Sequence, residues 1–128
     1  MYKGNSFLAI VPARGGSKRL PNKNILDLAG KPMIAWTIEA AKASKYIDTV
    51  VVTSDSSKIL KIANKLSVNT LERPKILASD TASTFDVIQH AVDHLKKHFD
   101  YMVLLQPTSP LRSEKHIDEA IEFLIMKN

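Results

Sequence analysis

Apolar residues change their spacing several times along this chain, and each change marks an element. Phe7 to Val11 is a continuous apolar run stopped by Pro12, the pattern of a strand buried on both faces. Beyond Pro32, a residue suited to a helix first turn, Ile34, Thr37, Ile38 and Ala41 recur at helical spacing. Thr49 to Thr53 is β-branched and almost wholly apolar, which predicts a central parallel strand. Ser54 or Asp55 can cap a helix whose inner stripe is Ile59, Ile62, Ala63 and Leu66. A short strand over Val68 to Leu71 follows, then an irregular stretch from Glu72 to Ala82. Ser83, with Asp86 three residues on, resembles a capping box for a helix with Val87, Ile88, Ala91, Val92 and Leu95 on its core face. Asp100 to Leu105 reads as a last strand. Ser113 caps a last helix that turns Ile117, Ala120, Ile121 and Leu124 inward.

Four strands alternating with four helices predict a three-layer α/β/α domain with a mainly parallel sheet, Rossmann-like, spanning residues 1–128. Ligands of such sheets bind beyond the carboxyl ends of the strands. Three loops with chemical content fall there: Pro12 to Asn24, Ser54-Asp55 and Gln106 to Arg112.

The first of these carries the strongest signal. It places Gly15, Gly16 and Ser17 beside Arg14, Lys18, Arg19 and Lys23. Backbone N–H groups around paired glycines can form an anion-binding nest, and the cations add charges and guanidinium forks suited to phosphate oxygens. The loop lacks the G-x-x-x-x-G-K-[ST] spacing of a P-loop and the third glycine of a dinucleotide fingerprint.

Composition narrows the picture further. The chain has 128 residues, 45% hydrophobic and 24% charged, which suits one globular domain with a core of its own. With no cysteine there is no disulfide framework and no thiolate zinc site. No apolar run reaches membrane-spanning length and residues 1–6 make no signal peptide, so the expectation is a cytoplasmic protein without membrane contact. The net charge of +5 allows an anionic small molecule or nucleic acid. Cations outside the first loop, such as Lys58, Lys61, Lys65 and Lys96, are scattered on helix faces without interleaved aromatics, and no common nucleic-acid motif is present. The four histidines have no metal-ligand spacing.

The loop Pro12-Ala13-Arg14-Gly15-Gly16-Ser17-Lys18-Arg19-Leu20-Pro21-Asn22-Lys23-Asn24 closely resembles the signature of the acylneuraminate cytidylyltransferases, or CMP-sialic acid synthetases. Three further segments match in order: Arg73-Pro74, Ala78 to Ser83, and Leu104-Leu105-Gln106-Pro107-Thr108-Ser109-Pro110-Leu111-Arg112. Cytidylyltransferases for 3-deoxy-manno-octulosonate are similar but place Gly-Lys-Pro after the Leu-Pro and a Gln-Gly-Asp type of loop at Gln106, so the acylneuraminate branch fits better.

The resemblance implies the nucleotide-diphospho-sugar transferase type of fold. It implies transfer of CMP from CTP to the anomeric hydroxyl of a nine-carbon α-keto acid sugar, with diphosphate released. It makes Arg14 and Lys23 the catalytic pair on the triphosphate. Ala13, Gly15, Gly16, Ser17, Lys18, Asn24, Arg73 and Ser83 become nucleotide contacts, and Gln106, Thr108 and Ser109 sugar contacts. It implies Mg²⁺, although the family's metal-bearing aspartates match nothing here and no residue of this chain is assigned to metal. It further implies a role in cell-surface polysaccharide biosynthesis and a homodimer for a full-length relative. The match is to the family's amino-terminal part, so a truncated chain that binds CTP weakly and turns over poorly by itself is expected. The alternatives are a non-catalytic nucleotide-binding module, a 3-deoxy-manno-octulosonate cytidylyltransferase or a nucleic-acid-binding domain.

Overall fold

A computed structural model describes residues 1–13, 27–28, 30–72, 84–95, 97–106 and 114–127. In chain order the elements are β1 (Phe7–Pro12), β2 (Asp27–Leu28), β3 (Lys31–Pro32), α1 (Met33–Ala43), β4 (Thr49–Ser54), α2 (Ser57–Lys65), β5 (Asn69–Glu72), α3 (Thr84–Leu95), β6 (Tyr101–Leu104) and α4 (Glu114–Lys127).

The main sheet has the order β5-β4-β1-β6, and all its pairings are parallel. β1 is internal and buried from Phe7 to Val11, which is why its sequence is apolar without alternation. Its side chains nonetheless alternate between two layers. Phe7, Ala9 and Val11 enter a core built with Ile34, Ile38 and Ala41 of α1, Ile59 and Ala63 of α2, and Ile117 and Ile121 of α4. Leu8 and Ile10 face the other way, toward Val51, Leu71 and Ala91 of α3, with Ile88 and Leu95 packed against them. Helices therefore cover both faces, three on one and α3 on the other. The fold class read from the sequence is the fold observed.

Two carboxylates fix the amino end of β1. Asp48 and Asp100 each stand one residue before a strand that flanks it. Asp48 Oδ2 accepts the Phe7 amide at 2.8 Å and its Oδ1 accepts the Met1 ammonium at 2.8 Å. Asp100 Oδ2 accepts the Ser6 amide at 2.8 Å, and the Asp100 amide donates to Ser6 Oγ at 3.1 Å. Partial burial pushes the Asp48 pKa up, but the hydrogen bonds from the Met1 ammonium and the Phe7 amide outweigh it and hold the carboxyl below its ordinary value. The Ser6 amide, then His98 at 3.2 Å, hold Asp100 down in the same way. A slip of one residue would separate these partners and turn every β1 side chain to the wrong layer.

Asp118 of α4 performs a similar task for the end of α1. It is buried, accepts from the Ser44 hydroxyl, and accepts the Lys45 amide at 3.1 Å. Nearby, the Tyr46 hydroxyl donates to Glu122, and that carboxylate raises the phenol to about 12. The Tyr46 ring lies 4.4 Å from that of Tyr2.

Several boundaries differ from the sequence reading. Pro32 is the residue before α1 rather than its first, with no side-chain cap; its fixed φ of −56° leads the chain into the helix. β5 begins at Asn69 because Ser67, in the left-handed region at φ 60°, ends α2 and delays the strand. β6 is one residue shorter at each end. Ala120 is exposed, whereas Asp118 takes an inward place on α4, so a polar tie to Ser44 replaces an apolar contact. The hairpin of β2 and β3 has no periodic signal, since each strand has only two residues; Gly30 at φ 93° makes its turn. The caps placed at Ser83 and Ser113 lie outside the described residues.

Two outcomes follow. Ser67→Gly removes left-handed strain from a residue with a Cβ and raises stability by about 0.5–1 kcal/mol in urea unfolding; a loss would show that Ser67 is not strained. Asp48 and Asp100 have folded pKa values below the unfolded value of about 3.9, so their stabilisation is present above that pH and fades as pH falls through the folded values. The double variant Asp48→Asn/Asp100→Asn is less stable at pH 7, and its stability falls less steeply below about pH 4. Acid titration followed by circular dichroism reads both, and an unchanged slope contradicts the clamp.

Candidate functional site

Parallel strands end together, so β1, β4, β5 and β6 all deliver the residues that follow them to one edge of the sheet. The ladder continues past the formal strand ends there. The Ala13 amide donates to Thr53 O at 3.0 Å, and the Leu105 amide donates to Ile10 O at 2.9 Å. Ala13 and Leu105 are buried, and Gln106 is the first exposed residue beyond β6. The chain thus leaves β1 at residue 14 and β6 at residue 106 from two fixed, hydrogen-bonded points on neighbouring strands.

The turn after β4 is equally determined. Ser54 is fully buried and its Oγ accepts the Ser56 amide at 3.0 Å. Ser56 then caps α2, its Oγ accepting the Ile59 amide at 3.4 Å. The cap is therefore neither Ser54 nor Asp55, the two residues the sequence offered. Buried Ser54 folds the turn and Ser56 closes the helix, so the Asp55 carboxylate is left on the exposed side of the edge. Glu72, paired in register with Ser54, is exposed at the end of β5. In a parallel α/β layer the helices run back from this edge, so their amino ends contribute positive potential to it.

Of the residues singled out by sequence, the structure places Ala13 and Gln106 at this edge. Arg14, Gly15, Gly16, Ser17, Lys18, Lys23, Asn24, Arg73, Ser83, Thr108 and Ser109 lie outside the described residues. What the structure defines is the edge of the sheet from which those segments leave. The segment that follows Ala13 ends at the β2–β3 hairpin. There Lys31 pairs with Glu39 of α1 and sets its Nζ 4.4 Å from the Trp36 ring centroid, which ties the hairpin to that helix.

The sequence reading missed Ser56, the Lys31 contacts, and the Asp48–Asp100 clamp that sets the level of the edge from the opposite end. The clamp did have a signal: both aspartates immediately precede strand-forming runs, Asp48 before Thr49 and Asp100 before Tyr101.

A magnesium site is not supplied by these residues. Among the described residues no three His, Cys, Asp or Glu side chains form a group that could hold a metal ion. His90 and His94 lie on α3, and among the described residues no third ligand joins them. Asp55 and Glu72 are the described carboxylates at the ends of β4 and β5. Among the described residues, too, no helix is long and apolar enough to cross a membrane.

Comparison with known proteins agrees with this fold. The chain matches the cytidylyltransferase family over residues 8–128 and belongs to it. It is 47% identical over 116 residues to the N-acylneuraminate cytidylyltransferase of Escherichia coli O18:K1:H7, a match that takes in 91% of this chain and 27% of that protein. It is 45% identical over 123 residues to the CMP-N,N'-diacetyllegionaminic acid synthase of Legionella pneumophila, covering 91% of this chain and 52% of that one. A solved CMP:2-keto-3-deoxy-manno-octonic acid synthetase complexed with CTP superposes with a TM-score of 0.80 at 24% identity, over 93% of this chain and 47% of that one, and this likeness shows the fold. The chain spans between a quarter and a half of the length of these proteins.

Ser56 gives the site a direct structural test. Ser56→Ala removes the α2 cap and costs about 0.5–2 kcal/mol, and Ser56→Asp or Ser56→Asn recovers most of it. Denaturant melts check this; equal stability of all four proteins would move the cap elsewhere.

Proposed function

We propose that this chain is the nucleotide-binding part of an enzyme that transfers CMP from CTP to the anomeric hydroxyl of a nine-carbon α-keto acid sugar. The observation that carries the reading is that Ala13, Glu72 and Gln106, the last described residues before the family-matching segments, lie at the carboxyl ends of parallel strands of one sheet. Membership of the cytidylyltransferase family supports the reaction class. The printed names of the relatives, an N-acylneuraminate cytidylyltransferase and a CMP-N,N'-diacetyllegionaminic acid synthase, support an acid-sugar acceptor.

In this reading the sugar hydroxyl attacks the α-phosphorus in line with the departing diphosphate. The chain's work is to position two anions and to neutralise charge on the leaving group. Arg14 and Lys23 hold the triphosphate, assisted by Lys18 and the amides of Gly15, Gly16 and Ser17. Asn24, Arg73 and Ser83 read the cytidine. An arginine donates to the pyrimidine carbonyl, and an asparagine amide both donates to and accepts from the base. Gln106, Thr108 and Ser109 meet the hydroxyls of the acid sugar, with the Gln106 amide placed just outside the core at the end of β6. Mg²⁺ as cofactor, a homodimer of a full-length protein, a cytoplasmic location and a part in cell-surface polysaccharide biosynthesis belong to the same proposal.

The test is a calorimetric titration of CTP into the wild-type chain and into the double variant Arg14→Ala/Lys23→Ala. Each lost charge-assisted contact contributes about 1.5–3 kcal/mol, so affinity falls by at least about 100-fold while the circular dichroism spectrum is unchanged. Unchanged affinity would end the assignment of the triphosphate to this loop. Equal binding of ATP and GTP by the wild-type chain would end the assignment of the base to cytosine.

A further inference from the structure

The two outer strands of the main sheet are built differently. β5 forms one side with Asn69, Thr70, Leu71 and Glu72, of which only Leu71 is buried. A short, polar strand of that kind ends a sheet without inviting another to join it. β6 forms the other side with Tyr101, Met102, Val103 and Leu104, and carries no charge. Such a sequence suits the inside of a sheet. Its cover is also incomplete. Met102 lies opposite Leu8 in the ladder, on the face that α3 covers over β1 and β4. Leu8 is 1% exposed there and Met102 48%, so the cover stops short of β6. The backbone is open as well. Tyr101 and Leu105 donate their amides to Ser6 O at 3.0 Å and Ile10 O at 2.9 Å, and alternate residues of a strand turn to the same neighbour. Met102 and Leu104 therefore direct N–H and C=O away from β1, and among the described residues no strand receives them.

We propose that the outer side of β6 is a self-association surface, on which a second copy of this chain lays its own β6 antiparallel and joins the two sheets into one. The inference stands on described residues and does not rest on the nucleotide reading. Symmetry selects the occupant. With the two-fold axis at Val103, Met102 faces the partner's Leu104 and exchanges both outward backbone bonds with it, and Leu104 does the same with the partner's Met102. The outward groups of the strand are then all used. An axis at Met102 would instead call on Asp100, whose amide is already given to Ser6 Oγ at 3.1 Å. The side chains agree with the first register. Met102 and Leu104 share the α3 face, so the two copies place them in one apolar cluster across the axis and cover the exposed Met102. On the other face Val103 meets the partner's Val103, and Tyr101 the partner's Leu105. No residue from Tyr101 to Leu105 is charged, so the pairing sets no like charges opposite one another. Antiparallel strands point their carboxyl ends in opposite directions, so the two carboxyl edges stand at opposite ends of the pair.

The experiment is sedimentation velocity over a range of concentrations, with amide exchange resolved to single residues by mass spectrometry at both ends of the range. A contact of this small size is weak, so monomer is expected at about 1 μM and a substantial fraction of dimer at about 200 μM. The amides of Met102 and Leu104 are expected to gain about fivefold or more in protection at the higher concentration, and those of Tyr101 and Val103, which face β1, to change less. Met102→Pro deletes one outward amide and takes no bond from the β1 ladder. Met102→Lys, at a position already half exposed, brings like charges together across the axis. Each is expected to weaken the dimer by about tenfold or more with an unchanged circular dichroism spectrum; should the proline variant unfold, the lysine variant decides. Monomer at every concentration overturns the inference. So does a dimer that survives Met102→Lys, which places the contact elsewhere. Full protection of the Met102 and Leu104 amides in the monomer overturns it too, because another segment of the chain then pairs with β6.

Discussion

The parallel pairing of β1 with β4 on one side and β6 on the other is the constraint from which the rest of the molecule follows. β1 is buried on both faces, so its register cannot slip without exposing one apolar layer and burying the wrong side chains of the other. The register is set at the amino end, where Asp48 and Asp100 take the amides of residues 7 and 6. It is transmitted along five pairs to β4 and four to β6. At the far end the same register brings Ala13 level with Ser54 and Leu105 level with Val11 on the neighbouring strand. A fold requirement at one edge thus becomes a placement of chemistry at the other, and the two carboxylates far from the site help to align it.

Charge follows the same division. Four carboxylates at the amino edge and on the helices each hold a backbone or side-chain partner: Asp48 and Asp100 on β1, Asp118 on the turn after α1, Glu39 on Lys31. Cations gather in the segments that leave the carboxyl edge.

How much of this is legible in sequence depends on the length scale of the signal. Long apolar runs and helical stripes identify all four strands of the main sheet and all four helices, because burial on both faces of β1 and β4 leaves residues such as Ile10 and Val51 no polar alternative. The family was legible because its motifs are local strings of residues around Gly15-Gly16 and Gln106. Single-residue choices were not. Ser54, Asp55 and Ser56 are all competent caps, and only the burial of Ser54 selects Ser56. Asp118 looks like a solvent position on a helix until Ser44 and Lys45 are brought beside it from 74 and 73 residues away in the chain. The two-residue strands of the hairpin are too short to show any period. These are tertiary decisions, and no window of local sequence contains them.

The central claim is that the carboxyl edge of the sheet is where a cytidine nucleotide binds. Amide hydrogen exchange with and without saturating CTP tests it most directly. The account predicts added protection around Ala13, the 54–56 turn, the amide of residue 106 and the segments that join them, with the amino edge at residues 1–7, 44–48 and 97–101 unchanged. Protection confined to that amino edge, or to the outer face of α4, would contradict it.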